Sequence, residues 1–99
     1  AISDYSKAIE INPKDADAYY NRGNAKRKLE DYYGAISDYS KVIEINPRYA
    51  KAYTNRGIVK SNLDDKRGAC KDYKKAISLG SKSTEEWLAT EGGAWCRNM

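Results

Sequence analysis

The sequence predicts an all-α protein, an α-solenoid of antiparallel helix pairs with a capping helix at the C-terminal end. The main observation is an internal repeat. Residues 1–13 and 35–47 differ at a single position, and the same offset of 34 residues aligns residues 16–49 with residues 50–83. A fixed period of about 20 to 50 residues is typical of proteins built from stacked repeats.

Each unit is expected to contain two helices. In the first unit, the pattern predicts one helix over Ala16–Leu29 and a second over Tyr32–Ile45. Asp15 and Asp31 precede them, and Asp65 precedes the second helix of the next unit. An aspartate in this position caps a helix by accepting a hydrogen bond from the free N–H groups of the first turn. Because the links are only two or three residues long, paired helices must run antiparallel.

The two ends do not form complete units. Residues 1–13 correspond to the second helix of a unit whose first helix is absent, so we expect an orphan helix of a truncated repeat. Residues 84–99 are expected to form a C-terminal capping helix and tail, begun by the Ser83-x-x-Glu86 pattern of a capping box. Trp87 stands at the place of Tyr19 and Tyr53.

Gly92 and Gly93 are expected to end the capping helix. The glycine of the earlier units is replaced by Glu91, so a further second helix could not pack closely there. A terminal helix of this kind gives a repeat array a solvated end.

Small and aromatic residues recur at fixed places. They are Tyr19, Gly23, Ala35, Tyr39 and Pro47 in the first unit, and Tyr53, Gly57, Ala69 and Tyr73 in the second. This pattern of a 34-residue helix-turn-helix resembles the tetratricopeptide repeat. The resemblance covers residues 1–83, and it implies a right-handed superhelix in which the glycines and alanines let the paired helices approach closely.

Arginine occupies a place that is usually leucine in the pattern. Arg22 and Arg56 stand there, and aspartate recurs on the second helices at Asp4, Asp38 and Asp72. We expect the arginines to pair with these aspartates, within a unit or across to the previous one. A partly buried ion pair of this kind would fix the stacking register and add little net stability.

The resemblance implies a concave groove, lined by the first helix of each unit, that holds a peptide or segment of another protein. The expected groove residues are Asp17, Tyr20, Asn21, Asn24, Arg27 and Lys28 in the first unit, and Lys51, Thr54, Asn55, Ile58, Ser61 and Asn62 in the second. Four of the first set share one helix face by their spacing. Asparagine amides can donate and accept hydrogen bonds, which suits the recognition of a peptide backbone. The alternative is that these residues form an ordinary solvated helix face.

Some members of the resembled family hold a chaperone's C-terminal carboxylate with a clamp of five residues. Asn24 and Asn55 match two of these places, but Tyr20, Glu85 and Ala89 stand where three cations are needed. We therefore do not expect such a clamp.

Composition argues for a binding protein rather than an enzyme. The chain of 99 residues contains no histidine, so it lacks the usual general base and the commonest metal ligand. Neither a cofactor nor a metal is expected. No apolar run approaches the roughly 20 residues of a membrane span, and the N-terminus has no signal-peptide pattern. We expect a cytoplasmic protein-interaction scaffold that does not contact a membrane.

Two other binding modes remain open. The net charge is +4, and residues 60–82 carry a clear excess of lysine and arginine, which could bind nucleic acid or an acidic partner. The apolar face of the orphan helix could instead drive self-association. Cys70 is expected to pack as a small apolar residue, with a Cys70–Cys96 disulfide as the alternative if the tail folds back.

Overall fold

Seven helices form the protein in the computed structural model, which describes residues 1–90 and 93–97. They are α1 (Ile2–Ile11), α2 (Ala16–Lys28), α3 (Tyr32–Ile45), α4 (Ala50–Asn62), α5 (Lys66–Ser78), α6 (Lys82–Leu88) and α7 (Ala94–Arg97). The pairs α2–α3 and α4–α5 stack side by side, and α1 packs on α2. The body is elongated, 43 × 25 × 17 Å. The predicted solenoid of stacked helix pairs is confirmed.

Aspartate caps set the start of three helices, as predicted. The Asp15 carboxylate accepts from the backbone N–H of Ala18 at 3.2 Å, and Asp31 and Asp65 accept from Gly34 and Gly68. Each cap satisfies one of the N–H groups that has no partner within the helix.

The glycines at the helix crossings permit close packing. A Cβ atom built on Gly23 would lie 2.8 Å from Tyr39 Cε1, and one on Gly57 would lie 2.7 Å from Tyr73 Cε1. The tyrosine rings thus lie directly against the backbone of the partner helix. Tyr39 packs in the core with Ala35 and Val59.

The capping helix starts earlier than predicted. The N-cap of α6 is Ser81, so the predicted capping box at Ser83 is wrong. The cause lies in the preceding turn, because Gly80 adopts φ +99° and lets the chain reverse within three residues. Trp87 is 38% exposed, whereas Tyr53, at the same place in the preceding unit, is 9% exposed.

The tail folds back on the last helix pair. α7 contacts α5 and α6, and Cys70 and Cys96 are joined by a disulfide with their Cα atoms 5.4 Å apart. Both sulfurs are buried in a cluster with Ala69, Tyr73 and Leu88. Cys70 is therefore both a packed residue and a bonded one. The capping helix also ends earlier than predicted, because α6 stops at Leu88, before the Gly92-Gly93 pair that was expected to end it. Glu91 and Gly92 themselves lie outside the described residues.

No helix in the described part of the chain is both long enough and apolar enough to cross a membrane.

Candidate binding groove

Two repeated ion clusters fix the helix pairs behind the groove. Arg22 donates from Nε and Nη2 to the two carboxylate oxygens of Asp38, at 2.9 and 2.8 Å. Lys26 Nζ lies 3.2 Å from the same carboxylate. The hydrogen bond to buried Asp38 raises the pKa of Arg22 above its ordinary value. The predicted ion pair is confirmed and forms within a unit.

The second unit repeats this cluster. Arg56 donates to both oxygens of Asp72 at 2.8 Å, and Lys60 lies 3.1 Å away. Each arginine also donates to a serine of the preceding second helix, Arg22 to Ser6 and Arg56 to Ser40, both at 3.2 Å. The cluster therefore ties three helices together. The role of the lysines was missed from sequence, although a lysine four residues after each arginine was the available signal.

The predicted groove residues divide into two groups by exposure. Asp17, Asn21, Lys28, Lys51, Ile58 and Asn62 are exposed, whereas Tyr20, Asn24, Arg27, Thr54, Asn55 and Ser61 are half-buried. All lie on α2 or α4. The first group is available to a ligand directly, and the second is largely engaged in packing.

Hydrogen bonds join α2 to α4 at the middle of this face. Asn55 Nδ2 donates to the Tyr20 hydroxyl at 2.9 Å and to Asn24 Oδ1 at 3.0 Å. The same Asn24 oxygen accepts from the hydroxyl of Tyr39. Burial raises the pKa of Tyr39 to about 12, so its hydroxyl stays protonated as a donor at neutral pH. The network holds the centre of the face rigid.

A second aromatic contact extends this centre toward the start of α4. The Tyr20 ring lies 5.2 Å from that of Tyr49 and 6.0 Å from that of Tyr39. The Tyr49 hydroxyl donates to Asp17 at 2.8 Å. Burial and this carboxylate together raise the pKa of Tyr49 well above its ordinary value. The space between α2 and α4 is thus filled from within.

Pockets open on either side of that filled centre. One, of about 710 Å³, lies between α1 and α2 and includes Tyr5, Asn21, Asn24 and Lys28. The other, of about 390 Å³, lies between α4 and α6. Its lining is Thr54, Ile58, Ser61, Asn62, Tyr73, Ser83, Thr84 and Trp87. The groove prediction missed its last four members, because it was confined to α2 and α4, whereas Tyr73 lies on α5 and the other three lie on α6.

The basic segment lies on another surface. Exposed cations follow α5 and the start of α6, at Lys66, Arg67, Lys71, Lys74, Lys75 and Lys82. Lys60 is not part of this surface because it binds Asp72. In the described ranges 1–90 and 93–97, no three Cys, Asp or Glu side chains lie close enough together to hold a metal ion.

Comparison with known families gives three matches, which together cover residues 1–80. Models described as tetratricopeptide repeat match residues 16–49 and residues 50–80, and a related TPR repeat model matches residues 1–29. No curated protein matches the chain in sequence.

Solved structures give further similarities. The chain is 32% identical to a MamA protein with a TM-score of 0.77, covering 91% of this chain and 49% of that one. YrrB, described as a TPR protein with an unusual peptide-binding site, is 29% identical with a TM-score of 0.78, covering 83% and 42%. The first TPR of Spaghetti (RPAP3), bound to the HSP90 peptide SRMEEVD, is 26% identical with a TM-score of 0.79, covering 90% and 78%. The chain thus spans about half of this MamA protein and less than half of YrrB.

Proposed function

The chain belongs to the tetratricopeptide repeat family, and we propose that it is a protein-interaction scaffold whose groove binds a segment of a partner protein. The groove is the concave face of α2 and α4 with its two flanking pockets. The observation that carries the proposal is the combination of a rigid centre, held by the Tyr20–Asn24–Asn55 hydrogen bonds, with open pockets beside it. A preorganised surface reduces the entropy lost on binding.

The charge of the groove indicates which partner segments it favours. Arg27, Lys28 and Lys51 contribute three positive charges against the one negative charge of Asp17, which accepts a hydrogen bond from Tyr49. A segment with acidic residues is therefore favoured electrostatically. The peptide-binding site named for YrrB supports the binding of a peptide, and the peptide SRMEEVD bound to the RPAP3 domain contains acidic residues. This groove lacks the three cations of the five-residue clamp, so it differs from a groove that binds a C-terminal carboxylate.

The test is a selection of phage-displayed random peptides on the immobilised chain, followed by calorimetric titration of the enriched peptides. The double variant Lys28→Glu/Lys51→Glu reverses two exposed groove charges, and we expect it to weaken binding by roughly tenfold or more. The matched control Lys71→Glu/Lys75→Glu reverses two charges on α5 and should leave affinity within about twofold. Equal losses in both variants would contradict the proposal.

The basic surface of α5 and α6, within residues 60–82, supports a second candidate, binding of nucleic acid or an acidic partner. Six exposed cations follow this surface. Binding of this kind would weaken steeply with salt, and Lys71→Glu/Lys75→Glu would abolish it while Lys28→Glu/Lys51→Glu would not. A titration with labelled single-stranded DNA at two salt concentrations separates this mode from groove binding.

Self-association through α1 is a third candidate. α1 has no buried residue, and Ile2 and Tyr5 line the pocket beside α2. Light scattering over a range of protein concentrations tests it, with Tyr5→Ser as the variant that should restore a monomer. A monomer at all concentrations would exclude this candidate.

A further inference from the structure

The pocket between α4 and α6 exists because small residues replace aromatic rings. In the first unit, the rings of Tyr20 and Tyr49 lie 5.2 Å apart and fill the space beside α4. In the repeat frame, their places in the second unit are Thr54 and Ser83, and both line the pocket of about 390 Å³. The first unit therefore shows that two tyrosine rings can fill such a space.

A hydrogen-bond partner is lost at the same place. The hydroxyl of Tyr39 donates to Asn24 in the first unit. The equivalent of Tyr39 is Tyr73, which lines the pocket, and the equivalent of Asn24 is Ile58, which has no side-chain acceptor. The phenol of Tyr73 thus stands at the pocket wall without the acceptor that Tyr39 has.

The wall of the pocket carries two aromatic rings and no charged residue. The Trp87 ring meets that of Tyr73 edge-on at 5.0 Å. Ile58 and Trp87 are 36% and 38% exposed, two of the large apolar residues that solvent reaches. The places of Arg27 and Lys28 are taken by Ser61 and Asn62, so no charged residue lines the pocket. An apolar pocket with a few polar groups is the usual form of a small ligand site, and its volume is at the low end of the roughly 300–1,000 Å³ range of such sites.

We propose that this pocket binds an uncharged aromatic side chain of the partner segment, which occupies the place that Tyr20 fills in the first unit. An acceptor on that side chain accepts a hydrogen bond from the Tyr73 hydroxyl, and its aromatic ring packs on Ile58 and Trp87. Aromatic pairs favour edge-to-face or offset contact, which the exposed Trp87 ring offers. The inference rests on the proposed groove function and names the residue type that the partner must carry.

The first experiment uses a minimal probe. N-acetyl-L-tyrosinamide is titrated into the ¹⁵N-labelled chain and followed by NMR, with N-acetyl-L-alaninamide as the matched probe. We expect the tyrosine probe alone to shift the Trp87 indole N–H and the amides of Thr54 and Ile58. Shifts no larger than those of the alanine probe would overturn the inference.

The chain itself offers a variant that fills the pocket from within. Thr54→Tyr/Ile58→Asn restores the residues of the first unit and should abolish the probe shifts. Ser37→Tyr places the same ring on the exposed side of α3 and should leave them unchanged. If the double variant does not fold, as judged by circular dichroism, Ile58→Arg replaces a partly exposed residue with a cation and should also abolish the shifts. Persistence of the shifts in the folded pocket variant would refute the inference.

Peptides from the phage selection separate this inference from the function on which it rests. We expect one aromatic position in the enriched peptides, and its replacement by alanine should weaken binding by about tenfold or more. Peptides that lose affinity in Lys28→Glu/Lys51→Glu but show no aromatic preference would leave the groove function intact and overturn the aromatic site. Failure to select any groove-binding peptide would contradict the function itself, while the probe titration would still decide the pocket.

Discussion

Removing Asp72 should destabilise the protein more than removing either of its partners. Its side chain is 4% exposed and accepts from Arg56 and Lys60 at 2.8 and 3.1 Å. Breaking a buried ion pair costs about 3–5 kcal/mol. The Arg56 side chain is 18% exposed and can turn partly toward water. We therefore expect Asp72→Ala to lower the free energy of unfolding by about 3 kcal/mol, at the low end of that range.

Arg56→Leu should cost less, because Lys60 remains to pair with the buried carboxylate. Loss of its charge-assisted hydrogen bonds should cost about 2 kcal/mol. In the double variant Arg56→Leu/Asp72→Ala the interaction between the two side chains is lost only once, and no guanidinium is left without its carboxylate. Its cost should therefore fall clearly below the sum of the two single losses. The difference is the coupling energy of the pair, expected to be about 2 kcal/mol.

Urea unfolding at pH 7, followed by circular dichroism, measures these values. In a chain of this size a loss of 3 kcal/mol lowers the melting temperature by roughly 12–24 °C. A domain stability of about 5–15 kcal/mol leaves the variants folded. The first unit supplies a control, since Asp38 has the same geometry and Asp38→Ala should lose a similar amount. A loss below about 1 kcal/mol for Asp72→Ala, or strict additivity in the double variant, would refute the reasoning.

Three further predictions follow from other contacts. Burial raises the pKa of Tyr39 from 10.0 to about 12, so its protonated hydroxyl contributes stability that is complete below pH 10 and is lost as the pH rises toward 12. Tyr39→Phe should remove about 2 kcal/mol of that alkaline loss between urea titrations at pH 9 and pH 11.5. Reduction of the Cys70–Cys96 disulfide, which closes a loop with a sequence separation of 26, should lower the free energy of unfolding by about 3.5 kcal/mol, and the Cys70→Ala/Cys96→Ala variant should not respond to reductant. In Gly23→Leu the new Cβ would lie 2.8 Å from Tyr39 Cε1. The variant should have a lower melting temperature, because overpacking costs about 1–3 kcal/mol. An unchanged melting temperature would show that the tyrosine ring moves freely.

The repeat period predicted most of the fold because it reports on packing directly. α3 spans Tyr32–Ile45 as expected, and α2 ends at Lys28, one residue before the expected bound. The start of α6 could not be predicted in the same way, because Ser81 and Ser83 are both plausible caps. The repeat frame favours Ser83, but the left-handed turn at Gly80 favours Ser81, and the turn determines the outcome.

The candidate site was less predictable than the fold. Helical spacing placed Tyr20, Asn24 and Asn55 on α2 and α4, but it does not reveal that their side chains bond to one another. Such contacts depend on rotamers across residues more than 30 positions apart. The disulfide could be given only as an alternative, because the tail has no repeat partner from which the position of Cys96 could be inferred.

The helices α1 and α7 are held very differently, which predicts a gradient of local opening. α1 buries no residue and has no side-chain cap, whereas α7 is fastened to α5 by a covalent bond. Amide hydrogens at weakly packed ends exchange through opening reactions of low free energy. Exchange should therefore start in α1 and reach α4 and α5 last. A ligand that spans the face would meet a preformed site near α6. It would gain less binding free energy at the other end, because binding there must also order α1.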